Sequence, residues 1–138
     1  FVQVNDNIHG RMQYVRYPLR DFHAAQDKFE VCIGPNYFAE DGLRLDIDTD
    51  DLQLKGTLHF EETKPWPAAL LAPGAMGWYA WVPWMECYHG IPSLDHGLAG
   101  SLHTPEGEVY FDGGRGYMEK DWGRSFPEGY VWAQSNHF

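Results

Sequence analysis

The residues whose types and spacing could do chemistry fall in a few short stretches. Glu86 lies in residues 77–88, where Trp78, Ala80, Val82, Trp84, Glu86 and Tyr88 alternate with Tyr79, Trp81, Pro83, Met85 and Cys87. Read as a strand, this run is apolar on both faces. It is expected to be buried on both sides or to line a pocket, with Pro83 marking an edge or a bulge. A carboxyl on such a face is disfavoured in its charged form, which suits a proton donor near neutral pH. The structural alternative is a buried Glu86 paired with an arginine. His89, Asp95 and His96 follow beyond a Gly-Ile-Pro turn. The Asp95-His96 pair could orient a proton-transfer group, or Asp95 could cap backbone N–H groups of a loop.

Another cluster is GGRGYMEKDWGRSF, residues 113–126. Tyr117, Glu119 and Asp121 share one face of an extended run, and Met118, Lys120 and Trp122 share the other. Polar and aromatic groups on both faces imply either a buried ion pair of Lys120 with a carboxylate or a cavity lining. Near the end, Tyr130, Trp132, Gln134, Asn136 and Phe138 share a face. A tryptophan followed by two amides suits an interior that packs an apolar body and hydrogen-bonds a polar head. Amides tying barrel strands together is the structural alternative.

Other motifs fail. The His residues show no H-E-x-x-H or His-x-His pattern, so no metal site is expected. Asp46, Asp48 and Asp50 imitate the start of a calcium loop, but Asp51 stands where that loop needs Gly and Thr57 where it needs Glu. The glycines at 113, 114 and 116 lack phosphate-loop spacing, and no G-x-S-x-G elbow is present.

The elements that must position these groups are strands. Leu52, Leu54, Leu58 and Phe60 face one way, and Gln53, Lys55, Thr57 and His59 the other, which predicts a half-buried antiparallel strand. Leu43, Leu45 and Ile47 alternate likewise, as do Phe29, Val31 and Ile33. Turns are legible at Gly34-Pro35-Asn36, Glu40-Asp41-Gly42 and residues 48–51. Thr104-Pro105-Glu106-Gly107 predicts a hairpin joining residues 100–103 to 108–112. Residues 19–28 offer a helical candidate without a clear apolar stripe. Short strands at close spacing suggest an all-β, antiparallel class, a sandwich or barrel, with residues 1–138 as one domain.

With six Trp, eight Tyr and eight Phe, the aromatic side chains are expected to dominate a core or line a cavity. A net charge of −10 repels phosphate backbones and anionic lipid, so no nucleic acid is expected as a partner. The longest apolar stretch, residues 68–82, is too short and too broken by proline and glycine for a membrane span. Cys32 and Cys87 are too few for a disulfide framework and read as small apolar residues, one bridge being the alternative.

Residues 113–138 resemble the signature of the tocopherol cyclase-like proteins, with the pattern Glu119, Lys120, Trp122, Gly123, Phe126, Pro127. GAMGWYAWVPWMECYHGIPSLDHGLAGSL, residues 74–102, resembles its companion block. VRYPL at 15–19 and FEVCIG at 29–34 resemble the amino-terminal part. The resemblance implies an antiparallel lipocalin-like (calycin) barrel or curved sheet related to carotenoid hydratases, with two such β domains in one chain. It also implies a prenylated substrate and no cofactor. At 138 residues the chain is too short for both halves and reads as an incomplete piece, able to pair with the missing β domain or with itself. Its expected place is the cytoplasm, or the periphery of a membrane.

The expected reaction is ring closure of a prenylated quinol. A proton reaches a trisubstituted alkene, and a phenol oxygen attacks the tertiary cation. Residue chemistry within the matching segments assigns the acid to Glu86 or Glu119, with Asp121 and Asp95 in reserve. Trp78, Trp84, Trp122 and Trp132 would wall the cation, with Tyr88 and Tyr117 lining the site. His89, Lys120, Gln134 or Asn136 would bind the phenol. The alternative function is a non-enzymatic lipocalin-like binder of an isoprenoid, quinone or lipid.

Overall fold

The computed structural model describes residues 1–126 and, beyond them, Glu128, Gly129, Val131, Ala133 and Ser135. The alternating sequence patterns become antiparallel strands: β1 (Val2–Asp6), β2 (Arg11–Val15), β3 (Phe22–Ala24), β4 (Glu30–Ile33), β5 (Asn36–Ala39), β6 (Gly42–Asp48), β7 (Gln53–Glu61), β8 (Cys87–Thr104), β9 (Gly107–Tyr110) and β10 (Gly114–Gly123). β1 and β2 form a separate hairpin. The others form one sheet in the order β10-β8-β7-β6-β5-β4-β3, with β9 on β8. The protein is therefore all-β and antiparallel, and its main sheet is an open path rather than a closed barrel.

The chain divides into two compact units. Phe1–Phe60 with Leu98–Gly113 form the first, and Glu61–Gly97 with Gly114–Phe138 the second. The first unit holds the aliphatic core of Val2, Leu45, Ile47, Leu54, Leu58 and Leu102. β6 and β7 show why. Their register sets Ile47 against Leu54 and Leu43 against Leu58 on the inner face, while Asp46 meets Lys55 on the outer face at 3.0 Å. Asp48 also reaches Lys55, so the acidic turn clamps a lysine. Gly56 and Gly100 allow β7 and β8 to approach, because a Cβ at either would strike backbone of the other strand.

The turns fall where expected. Ile33 pairs with Asn36, Ala39 with Gly42, Asp48 with Gln53, and Thr104 with Gly107. Asn36 does more than turn the chain. Fully buried, it donates to the Tyr17 hydroxyl at 3.0 Å and the Ile33 carbonyl at 2.9 Å, and accepts from the Asp46 N–H at 3.0 Å.

Several expectations need correction. Residues 19–28 are not a helix: a single 3-10 turn, Leu19–Asp21, leads into β3. Without an apolar stripe there is nothing to bury, and Leu19 is exposed. In β4 the alternation is blurred, since all four residues are half-buried. Residues 77–88 are not a strand buried on both sides. They hold a 3-10 turn, Gly77–Trp81, then irregular chain, and only Cys87 begins β8. Among the described residues the tryptophans do not form the interior. Trp66, Trp78, Trp81, Trp84 and Trp122 are all exposed, because aliphatic side chains already fill the first unit and most of the indoles lie among prolines and glycines that preclude a ladder. Cys32 and Cys87 are both free thiols. No helix among the described residues is long and apolar enough to cross a membrane.

Candidate polar row on β8 and β10

The residues of chemical interest that do meet belong to the second unit. There β8 is hydrogen-bonded to β10. An extended run at 64–66 lies along β8 too: the Lys64 N–H donates to the Asp95 carbonyl at 3.2 Å, the Leu94 N–H to the Lys64 carbonyl at 2.7 Å, and the Trp66 N–H to the Ile91 carbonyl at 3.2 Å. The first half of β8 is thus held on both sides, which fixes the side chains it carries.

At one end sits an ion-pair cluster. Asp95 is buried and takes Arg115 Nε at 2.8 Å on Oδ1; Arg115 Nη2 and Lys64 Nζ, the latter at 3.1 Å, reach Oδ2. Both cations keep exposed stems, so the carboxylate is the buried partner. Asp95 is therefore a structural anion locked to an arginine and a lysine, not a free proton donor. Beside it, Ser93 Oγ donates to the Asp95 carbonyl at 3.0 Å and accepts from the Lys64 N–H at 3.1 Å. Its only proton is committed, so the 3.0 Å contact with His96 Nδ1 has the imidazole donating. Burial pushes the His96 pKa below its usual value. The absence of a side chain at Gly116 makes room for that ring, since a Cβ there would collide with the imidazole.

Farther along the row burial falls, from half-buried Tyr117 and Glu119 to exposed Asp121. Tyr117 donates to Glu119 Oε2 at 2.8 Å. Burial, then the Glu119 hydrogen bond and the negative charge of Glu119 and Asp121, push the Tyr117 phenol up to about 12. His89 Nδ1 lies 2.5 Å from Asp121 Oδ1, both groups about one third exposed. On the opposite face, Tyr88 stacks on Trp122 with ring centroids 5.6 Å apart, and the Tyr88 hydroxyl donates to the Val82 carbonyl at 2.6 Å. Lys120 Nζ stands 5.6 Å from the Trp122 ring centroid. Lys120 is thus exposed over an indole and not in a buried ion pair.

Of the expected site residues, the structure brings His89, Tyr117, Glu119 and Asp121 to one face of the β8–β10 pair and Tyr88, Lys120 and Trp122 to the other. Glu86 is exposed, which removes the desolvation on which its role as acid rested. Trp78 and Trp84 are also exposed, at 60% and 83%. Trp132, Gln134 and Asn136 lie outside the described residues. Sequence reasoning missed Arg115, Lys64 and Ser93. The one signal for Arg115 was its place between glycines, which keep neighbouring bulk away from a side chain that must reach across the sheet.

Two hollows of the first unit, of about 250 and 480 Å3, are lined by residues such as Lys55, His103 and Arg44 and contain none of these groups. No protein-family model, curated protein or solved structure matches the chain.

Proposed function

We propose that this chain is part of a tocopherol cyclase-like protein whose β8–β10 row holds the hydroxyl head of a prenylated quinol and closes its ring. The observation that supports this most is the juxtaposition of two proton-handling pairs, Tyr117–Glu119 and His89–Asp121, on one face of the β8–β10 pair. In this reading the His89–Asp121 pair is the proton donor. The proton passes to the alkene carbon, the π electrons forming the new C–H bond and leaving a tertiary cation. The phenol oxygen attacks that cation, and its proton returns to the carboxylates of the row, so the reaction is a net isomerisation.

The test is conversion of a prenylated hydroquinone by the wild type and by Asp121→Asn and His89→Gln. A positioned acid typically supplies ~10²–10⁴-fold, and losses of that order are expected in both variants. Full turnover in both removes the proposal. A second reading, a non-catalytic binder of an isoprenoid, quinone or lipid, is favoured by one observation: the Tyr117 phenol already occupies Glu119 as a hydroxyl head would. It expects quenching of indole emission by the quinol with no product formed.

A further inference from the structure

Between Lys64 and Glu86 the chain has no Asp, Glu, Lys, Arg or His, although its net charge is −10. This uncharged segment, residues 65–85, also exposes several large apolar side chains. Leu70 is 86% and Leu71 80% exposed. These two sit at the tip of a tight turn closed by reciprocal backbone hydrogen bonds between Ala69 and Ala72, at 2.9 and 3.0 Å. Such tips ordinarily take Gly, Asn, Asp or Ser. A leucine pair there has no local reason and gains nothing from water. Farther along, Trp78 and Trp81 are spaced by three on a 3-10 turn, which sets them on one side of it, and both are exposed.

We propose that residues 65–85 dock this protein on a neutral, zwitterionic lipid surface, with Leu70 and Leu71 entering the acyl boundary and the indoles lying at headgroup depth. A protein partner would exclude charge only from the centre of a contact, leaving a polar rim. Lipid surrounds a dipping loop, so it excludes charge along the whole of it, as seen here. Indole is the side chain most suited to the headgroup layer. The backbone fits the same environment. Pro65, Pro67, Pro73 and Pro83 carry no N–H, and the N–H groups of Ala69, Ala72, Gly77 and Val82 are satisfied within the segment. Charge complementarity selects the lipid: an acidic chain is repelled by anionic headgroups and only a neutral surface leaves an uncharged loop free to insert. The inference does not depend on what the β8–β10 row binds.

The experiment is co-sedimentation of the full chain with pure phosphatidylcholine vesicles. Indole quenching by phosphatidylcholine brominated at shallow acyl positions is read in parallel on the wild type. Binding with quenching is expected, and Leu70→Ser with Leu71→Ser together should weaken the vesicle partition by roughly 10- to 100-fold. Both positions are exposed, so the strand signal in far-UV circular dichroism should be unchanged. Absence of binding to phosphatidylcholine overturns the proposal. So does binding that requires anionic lipid, binding that the double variant leaves intact, or a Leu70- and Leu71-dependent self-association with no lipid bound.

Discussion

Replacing Asp95 by asparagine should unfold this protein more readily without acting on chemistry. The buried carboxylate accepts from Arg115 Nε, Arg115 Nη2 and Lys64 Nζ. Hydrogen bonds to charged groups contribute about 1.5–3 kcal/mol each, but the sum overstates the loss. Arg115 and Lys64 are half exposed or more and regain water, and an amide keeps one acceptor for Arg115. Its N–H2, however, would face two cationic donors. The net loss is therefore about 2–4 kcal/mol, near the lower part of the range for breaking a buried pair. With a urea slope of ~1–3 kcal/mol/M, the midpoint should fall by about 1–2 M. Circular dichroism during urea unfolding reads this directly, and Arg115→Met alone and with Asp95→Asn completes a double-mutant cycle. A loss below ~1 kcal/mol, or additivity of the two substitutions, refutes the reading of Asp95 as the hub of an ion-pair cluster. A wild-type midpoint with abolished quinol conversion would return Asp95 to the chemistry.

Gly116→Ala should destabilise by about 1–3 kcal/mol through overpacking against His96, and His96→Ala in the same chain should relieve part of that loss; an unchanged denaturation midpoint in Gly116→Ala contradicts the close approach. Because burial lowers the His96 pKa from 6.5, the folded chain binds fewer protons than the unfolded chain just below that pH. The contribution of neutral His96 is complete above 6.5 and is lost as pH falls through the folded value, so stability should decline from pH 7 toward 5, with a shallower decline in His96→Gln. Tyr117 has the opposite sign: its folded pKa of about 12 exceeds the ordinary 10.0, so its contribution is complete below 10 and lost as pH rises through 12. The 295 nm absorbance difference between wild type and Tyr117→Phe after a rapid pH jump should titrate near 12, and Glu119→Gln should lower that midpoint.

How legible the fold was depended on which face each strand had to bury. β6 and β7 follow the sequence pattern because one side meets an aliphatic core, so Leu45, Ile47, Leu54 and Leu58 must point inward and Asp46 and Lys55 outward. The hairpin at Thr104 and Gly107 was legible from turn chemistry. Residues 77–88 misled because their alternation is between two apolar sets, which gives period two no contrast, and because Gly77 and Pro83 act on the backbone more strongly than the pattern does. The shared face of Tyr117, Glu119 and Asp121 was legible from spacing within β10. Its partner His89 on β8 was not, since cross-strand register is set by neighbours far away in sequence. The burial of Asp95 rather than Glu86 followed from Lys64 and Arg115 lying beside it, and no local pattern contains that.

The distribution of indoles has a practical corollary. Every tryptophan of the sequence falls in the second unit, and none in Phe1–Phe60 or Leu98–Gly113. Intrinsic emission is therefore blind to the aliphatic core of the first unit, whereas amide dichroism sees the strands of both. A melt followed by the two signals at once becomes a built-in test of cooperativity: superimposable curves mean that the units lose structure together, and separated curves assign the earlier or later event to a known half of the chain.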